Sequence, residues 1–403
     1  MTNKLRYGVF CGPHHPLNEN PTLCLQRDLE LAQHLEYLGF DEIWYGEHHS
    51  AGWETIASPE VMIAAAAERT SRIMLGSAVS SVPYHHPLML AERYSQLDHM
   101  TRGRVMLGMG PGSLASDAEM MGISVAKQRD MMDEAIDVIA RLMRGETVTH
   151  QTDWFTLKNA RIHMTPYTRP SIDMIAASTI SPTGSRAAGR NGIGMLSFGA
   201  TASAAFDALA SNWAICEEIA RDNGKVVDRR NWRLVAPMHI AETAEQARKD
   251  VQFGIEGWAD YLRNVAALPI VPGGGDVVDA MLDSHMAVIG TPDEAVAQIE
   301  RLKKQSGGFG TLVLFGTNWA DWDRTKKSYE MFARYVMPRV DAMPDNRVIS
   351  EAECRASRPE LAGKIGAAIQ DRIQRHIDEK GERNIAPELI AELPSHKAGA
   401  PAE

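Results

Sequence analysis

The chain reads as an α/β protein, a (β/α)8 TIM barrel with insertions and a helical C-terminal extension. Three observations predict it. Short β-rich runs alternate with longer helical patterns along most of the 403 residues. Helices of that length between strands imply parallel strands joined by right-handed crossovers. The strand–helix units number eight, which favours a closed barrel over an open sheet.

In order, the first strand is expected at Leu5–Phe10, followed after a Pro- and Asn-rich loop by a helix over Thr22–Leu38 that Gly39 stops, as a glycine after a helix end commonly does. Strand Glu42–Tyr45, helix Pro59–Thr70, strand Ile73–Val79, helix Pro87–Met100 and strand Arg104–Met109 come next. Lys127–Arg144 is strongly helical, with Met131, Met132, Ala135, Ile136, Ile139, Leu142 and Met143 on one apolar face. An excursion rich in β-formers over Thr147–Pro166 precedes strand Ile172–Ala177. Helix Pro182–Arg190, strand Ile193–Phe198, helix Ala204–Asp222, strand Arg233–Ile240, helix Glu242–Arg263, strand Gly310–Phe315 and helix Trp322–Val336 complete the series. Residues 1–342 are thus assigned to the barrel. A stretch at about 262–285, containing PGGGD at Pro272–Asp276, falls outside the repeat and reads as an active-site lid or a plain loop. Residues 343–403 form a charged, helical extension that could contact a second subunit.

Composition narrows the function. Lys and Arg total 42 against 52 Asp and Glu, a net charge of −10, so no nucleic-acid or anionic-membrane partner is expected. Cys11, Cys24, Cys216 and Cys354 are scattered without a C-x-x-C pair, which suggests reduced thiols and a cytoplasmic protein. The opening MTNKLRYGVF has no signal-peptide core, and no run of 18 apolar residues occurs.

In such a barrel, reactive groups lie at the C-terminal ends of the strands. Glu47-His48-His49 directly follows strand Glu42–Tyr45. A histidine there can exchange protons near neutral pH while a neighbouring carboxylate holds its tautomer, although a solvated loop could carry the same residues. His14-His15 and His85-His86 also follow strands. Adjacent residues on a strand point to opposite faces, and no H-x-H or H-E-x-x-H spacing occurs, so no metal is expected. Gly108-Met109-Gly110-Pro111-Gly112-Ser113 ends the fourth strand but departs from G-x-G-x-x-G at Ser113, and a tight turn explains it as well. In the run Ala177–Ser185, Ser181 suits an N-cap, Pro182 the first helical position, and Gly184 leaves amides open. A helix start of that kind can bind phosphate, though most are ordinary capped helices.

Five segments carry a resemblance over Tyr7 to about Val340: GFDEIWYGEHH at Gly39–His49, LGSAV at Leu75–Val79, LDHMTRGRVMLGMGPG at Leu97–Gly112, AASTISPTGSRAAGRNG at Ala176–Gly192 and IGTPDEAVAQIERL at Ile289–Leu302. In this order they resemble the bacterial luciferase-like family of flavin-dependent monooxygenases and related F420-dependent enzymes, and within it the limonene 1,2-monooxygenase-like subgroup. The resemblance implies that His48 is the histidine beside the flavin, with Glu47 preceding it. It places a non-prolyl cis peptide at Ala78–Val79 beneath the flavin ring, and Gly110 where luciferase itself has a reactive cysteine, which argues against bioluminescence. Ser178, Ser181 and Gly184 fall in its FMN-phosphate region.

The resemblance further implies that reduced FMN reacts with O2 to a C4a-(hydro)peroxyflavin that oxidises a small organic substrate, with His48 managing one proton. The peroxide anion would give a Baeyer–Villiger ester or an oxidised aldehyde, and its protonated form an epoxide or hydroxylated product. Nothing resembles an NAD(P)H-binding domain, so a separate flavin reductase would supply FMNH2 to what the resemblance makes a homodimer. The rivals are an F420-dependent dehydrogenase, a flavin-binding protein without turnover and a metal-dependent barrel hydrolase. Met106, Met109, Met120 and Met121 could suit an apolar substrate or serve as packing.

Overall fold

The computed structural model describes residues 4–12, 14–268, 271, 273, 275–340 and 345–393. Pro269, Ile270, Pro272 and Gly274 of the expected insertion lie outside the described residues, as do 341–344 and 394–403. The chain divides into two units, Met1–Asp341 and Ala342–Glu403.

The strands of the first unit, in chain order, are β1 (Arg6–Cys11), β2 (Glu42–Tyr45), β3 (Met74–Ser81), β4 (Val105–Gly110), β5 (Val148–Gln151), β6 (Thr156–Ala160), β7 (Asp173–Ser178), β8 (Gly194–Ser197), β9 (Trp232–Ile240), β10 (Val288–Gly290) and β11 (Thr311–Gly316). Eight of them pair in parallel in the order β9-β11-β1-β2-β3-β4-β7-β8, and β8 returns to β9 to close the ring. The expected (β/α)8 barrel is therefore present. The β-rich excursion is the antiparallel hairpin β5–β6, outside the ring.

Each barrel strand is buried on both faces, as strands covered by crossover helices must be. Phe10, Trp44, Met106, Ile175, Leu196, Val235 and Val313 fill the interior, while alternate residues such as Tyr7, Val9 and Cys11 face the helices. The apolar stripe read over Lys127–Arg144 is the buried face of helix Gln128–Met143. Helix Pro21–Leu38 is capped by Asn20, whose side chain accepts from the Thr22 N–H, and ends at Gly39 with φ of 85°.

The seventh unit differs from the expectation. In place of one helix over Glu242–Arg263, the chain forms Ala244–Val251 and Ile255–Asp260, then a π-helical turn at Tyr261–Val265. The break falls at Gly254, whose N–H turns to the Trp319 carbonyl at 2.9 Å. Helix Val277–Asp283 follows, and β10 pairs with the end of β9. The crossover to β11 is made by helix Pro292–Ser306, opened by a reciprocal Thr291–Glu294 capping box; β10 and this helix are absent from the expected series. Residues of this whole excursion build a second apolar core with Leu114 and Trp319, around Trp258, Tyr261, Leu262 and Met281. Phe315, near the end of β11, and Trp53 pack against it, which places it at the C-terminal end of the barrel.

In the second unit, helices Asn346–Ala356, Arg358–Lys380 and Pro387–Ala391 contain no buried residue. Among the described residues no helix is long and apolar enough to cross a membrane.

Candidate active site

Parallel strands deliver the ends of β1, β2, β3, β4, β7 and β11 to one mouth, and the polar residues that follow them meet there. Glu47, His48, His49 and Glu54 follow β2, Asp117 lies on the short helix Ala115–Met120 after β4, and Tyr261 begins the π turn after β9.

His48 is held at both ring nitrogens. Nδ1 lies 3.0 Å from Asp117 Oδ2, and Nε2 lies 3.3 Å from Glu54 Oε2. Asp117 is itself fixed, because its Oδ1 accepts from the His49 N–H at 3.0 Å and the Ser50 hydroxyl at 2.5 Å. Glu54 Oε1 accepts from the Tyr261 hydroxyl at 2.6 Å. Burial works against the imidazolium of His48, but Glu54 and Asp117 outweigh it and hold its pKa above the ordinary histidine value. For Asp117 burial pushes upward, and the bonds from His48 and Ser50 bring its carboxyl below the usual range.

Glu47 serves different partners. Its Oε1 contacts His49 Nε2 at 2.9 Å and His85 Nε2 at 2.8 Å, and its Oε2 accepts from the Ser81 N–H at 2.7 Å. Those bonds overcome the burial of Glu47 and depress its pKa, and the bond that His49 donates to Glu47 raises the pKa of His49. The carboxylate that orients His48 is therefore not the adjacent Glu47. Along an extended segment neighbouring side chains diverge, so Glu47 turns toward the end of β3 while His48 turns toward Asp117 and Glu54. His14 is buried, which pushes its pKa down and keeps it neutral; its ring contacts Trp258, Tyr261 and Phe315 edge-on. His15 is bound to Asp28 at 2.9 Å and to Thr55. Among the described residues no group of three or more His, Cys, Asp or Glu could hold a metal ion.

The Ala78–Val79 peptide is cis, and the β3–β4 register shifts between Ser77 and Ser80. Gly110 lies against this bulge: a Cβ there would come within 2.5 Å of Val79 Cγ2. The glycine thus admits the neighbouring strand. After β7, the helix runs Thr183–Asn191 with Pro182 rather than Ser181 in the cap position and no side-chain cap. Ser181 Oγ instead reaches Thr183 Oγ1 at 3.4 Å, since Pro182 is already helical and carries Ser181 out of capping reach. Ser178 Oγ lies 3.3 Å from Ser185 Oγ, and a Cβ on Gly184 would fall 1.9 Å from the Ala177 carbonyl oxygen, so the helix start sits directly on the strand end. Uncapped first-turn amides flanked by the Ser181 and Thr183 hydroxyls suit a phosphate. The four methionines do not form one surface: Met106 lies inside the barrel beside Arg233, Met109 is buried, and Met120 and Met121 are exposed.

Three residues of the cluster escape sequence reasoning: Glu54, Asp117 and Tyr261. Glu54 is six positions past His48 in an irregular loop, and the other two arrive from separate crossovers, so no spacing announces them.

A model of the luciferase-like monooxygenase family matches residues 5–308 of this chain. The limonene 1,2-monooxygenase of Rhodococcus erythropolis is 46% identical over 376 residues, which cover 93% of this chain and 96% of the relative. Among solved structures, the oxygenating constituent of 3,6-diketocamphane monooxygenase from Pseudomonas putida in complex with FMN, a type II Baeyer–Villiger monooxygenase, superposes with a TM-score of 0.69 at 22% identity, covering 84% of this chain and 99% of that one. An F420-dependent secondary alcohol dehydrogenase in complex with an F420–acetone adduct gives 0.60 at 21% identity, covering 84% and 99%. The two structural likenesses establish a shared fold.

Proposed function

The chain belongs to the luciferase-like monooxygenase family, and from that premise we propose that it is an FMN-dependent monooxygenase acting on a small apolar organic substrate. The observation that carries this reading is His48, clamped at both nitrogens by buried carboxylates at the mouth where the barrel strands end. When bound in its reduced form, the flavin supplies the electrons that activate O2.

The remaining work falls to this chain. The uncapped start of helix Thr183–Asn191, with Ser178, Ser181 and Gly184, holds the phosphate. Ala78, Val79 and Gly110 form the wall that receives the ring system. The aromatic groups Trp53, Trp258, Tyr261, Phe315 and Trp319 of the second core keep water from the mouth. His48 holds one proton and exchanges it at Nε2, the nitrogen with the longer carboxylate contact, while Asp117 fixes the ring through Nδ1. A separate reductase delivers the reduced flavin, and the working enzyme is a cytoplasmic homodimer.

The test combines binding with isotope labelling. FMN and F420 are titrated by fluorescence, and the protein is then supplied with chemically reduced FMN, limonene as a probe and 18O2. Incorporation of one labelled oxygen atom into the product supports the proposal. Tight F420 binding with hydride transfer and no O2 consumption replaces it with the dehydrogenase reading. Failure to bind either cofactor leaves a family member without flavin chemistry.

A further inference from the structure

Tyr261 stands outside the barrel strands, yet its hydroxyl reaches the His48 cluster. Its side chain is fully buried, stacks on Trp53 with ring centroids 5.3 Å apart, and meets the His14 ring edge-on at 5.8 Å. It opens the π turn Tyr261–Val265, in which the Ala266 N–H bonds the Tyr261 carbonyl at 2.8 Å. Single π turns are rare and recur at functional sites, because the extra residue re-aims a side chain.

The contact geometry separates the two carboxylates on His48. Asp117 is anchored at Oδ1 by the His49 N–H and the Ser50 hydroxyl, and its Oδ2 makes the shorter contact with His48, at 3.0 Å on Nδ1. Glu54 has two contacts of opposite character: a short bond from Tyr261 at 2.6 Å on Oε1, and a long approach to His48 Nε2 at 3.3 Å on Oε2. The bond from Tyr261 fixes where Oε1 of Glu54 stands, and in that setting Oε2 stops 3.3 Å from His48 Nε2. Tyr261 therefore restrains Glu54 from closing on His48, which leaves Nε2 less tightly held than Nδ1.

Resting on the reading of His48 as the proton-handling group, we propose that Tyr261 is a positioning residue that acts through Glu54 to keep His48 Nε2 available for proton exchange. The second core, which carries Tyr261, is then tied to the chemistry at the barrel mouth by one hydrogen bond. The charged and titratable groups facing His48 are Glu47, His49 and Glu54 from its own loop, Asp117 from the helix after β4, and His14 from the loop after β1; Tyr261 reaches the cluster through Glu54 from the excursion after β9.

Nitrogen-15 NMR of the full chain labelled at histidine tests this without flavin, with the His48 resonances assigned from their loss in His48→Asn. In Tyr261→Phe, Glu54 is released onto Nε2 and the His48 titration moves upward. Glu54→Gln removes one anion and moves it down by about one unit or more. The double variant should titrate like Glu54→Gln, because Tyr261 acts only through Glu54. With the loaded enzyme, Tyr261→Phe should lower kcat severalfold, shift the pH–rate profile in the direction of the NMR titration and leave FMN affinity unchanged. A Tyr261→Phe protein that melts earlier but keeps the wild-type His48 titration and pH profile would overturn the proposal and leave Tyr261 a packing residue. If the titration moves as expected while His48→Asn keeps full turnover, the positioning stands and the assignment of the proton to His48 fails.

Discussion

The two ends of the barrel both bury charges, and they use them in opposite ways. At the N-terminal end, Arg233 at the start of β9 is fully buried and donates from Nε and Nη2 to the two oxygens of Glu42, each at 3.1 Å, and from Nη2 to Asp173 at 2.5 Å. Trp44 Nε1, the Thr311 hydroxyl and Arg6 complete the shell of Glu42, and the guanidinium lies 5.2 Å over the Trp44 ring. Burial opposes the charge on Arg233, but Asp173 and Glu42 hold it ionised far above the physiological range, while Arg233 and Arg6 depress Glu42 against its own burial. Both oxygens of Glu42 are committed, and Arg233 and Glu42 are each shifted away from neutral pH. At the C-terminal end the cations are imidazoles, which gain and lose protons in that range, and His48 has one tight and one loose partner. A saturated network of permanent charges fixes geometry, whereas an incompletely saturated one with titratable members can carry a proton. This matches the division between a stability face and an active face in such barrels.

Breaking the comparison at its active end should give the largest effect. His48→Asn is expected to reduce turnover by about 100- to 10,000-fold, the usual contribution of a general acid–base group, with little loss of stability. Steady-state kinetics and thermal denaturation on the same preparation check both halves. A collapse of stability together with activity would erase the contrast between the two ends.

Next in size is Arg233→Met, which strands Glu42 and Asp173 in the interior and should destabilise the fold by about 3–5 kcal/mol, read from urea unfolding. Combining it with Glu42→Gln and Asp173→Asn should restore part of that loss, because no uncompensated charge remains. If the triple variant is no better than the single one, the cluster acts through shape rather than charge.

The smallest effect sharpens the comparison through pH. The raised pKa of His48 in the folded protein means the folded state binds that proton more tightly than the unfolded chain does. Its stabilisation is fully present below the unfolded histidine value of about 6.5 and is lost as pH rises through the higher folded value. The stability of wild type relative to His48→Asn should therefore decline as pH rises above about 6.5. The same subtraction for the triple variant Arg233→Met/Glu42→Gln/Asp173→Asn should be flat there, since Arg233 and Glu42 keep their charges in the wild type and the variant holds no stranded carboxylate.

Much of the barrel was legible because its cause is periodic. Strands such as Glu42–Tyr45 and helices such as Gln128–Met143 must bury apolar residues at fixed intervals, and those intervals are written in the sequence. The seventh unit was less so. Gly254 breaks its helix through a bond to Trp319, 65 positions away in sequence, and no local signal records that acceptor. The helix start after β7 falls within a residue of the expected one, but its cap is Pro182 rather than Ser181, because Pro182 takes helical dihedrals.

At the site, the sequence by itself determined that His48, Glu47 and the Ser178–Gly184 turn would stand at the C-terminal ends of strands, since chain order and strand polarity alone decide which end a loop reaches. Which carboxylate meets which imidazole was decided only by the tertiary structure. Glu47 turns away to His49 and His85, and His48 is taken by Asp117 and by Glu54, with Tyr261 behind it. Those pairings join side chains from loops after β2, β3, β4 and β9. Their spacing is set by barrel closure and by the packing of the second core, and neither leaves a periodic trace in the amino-acid sequence.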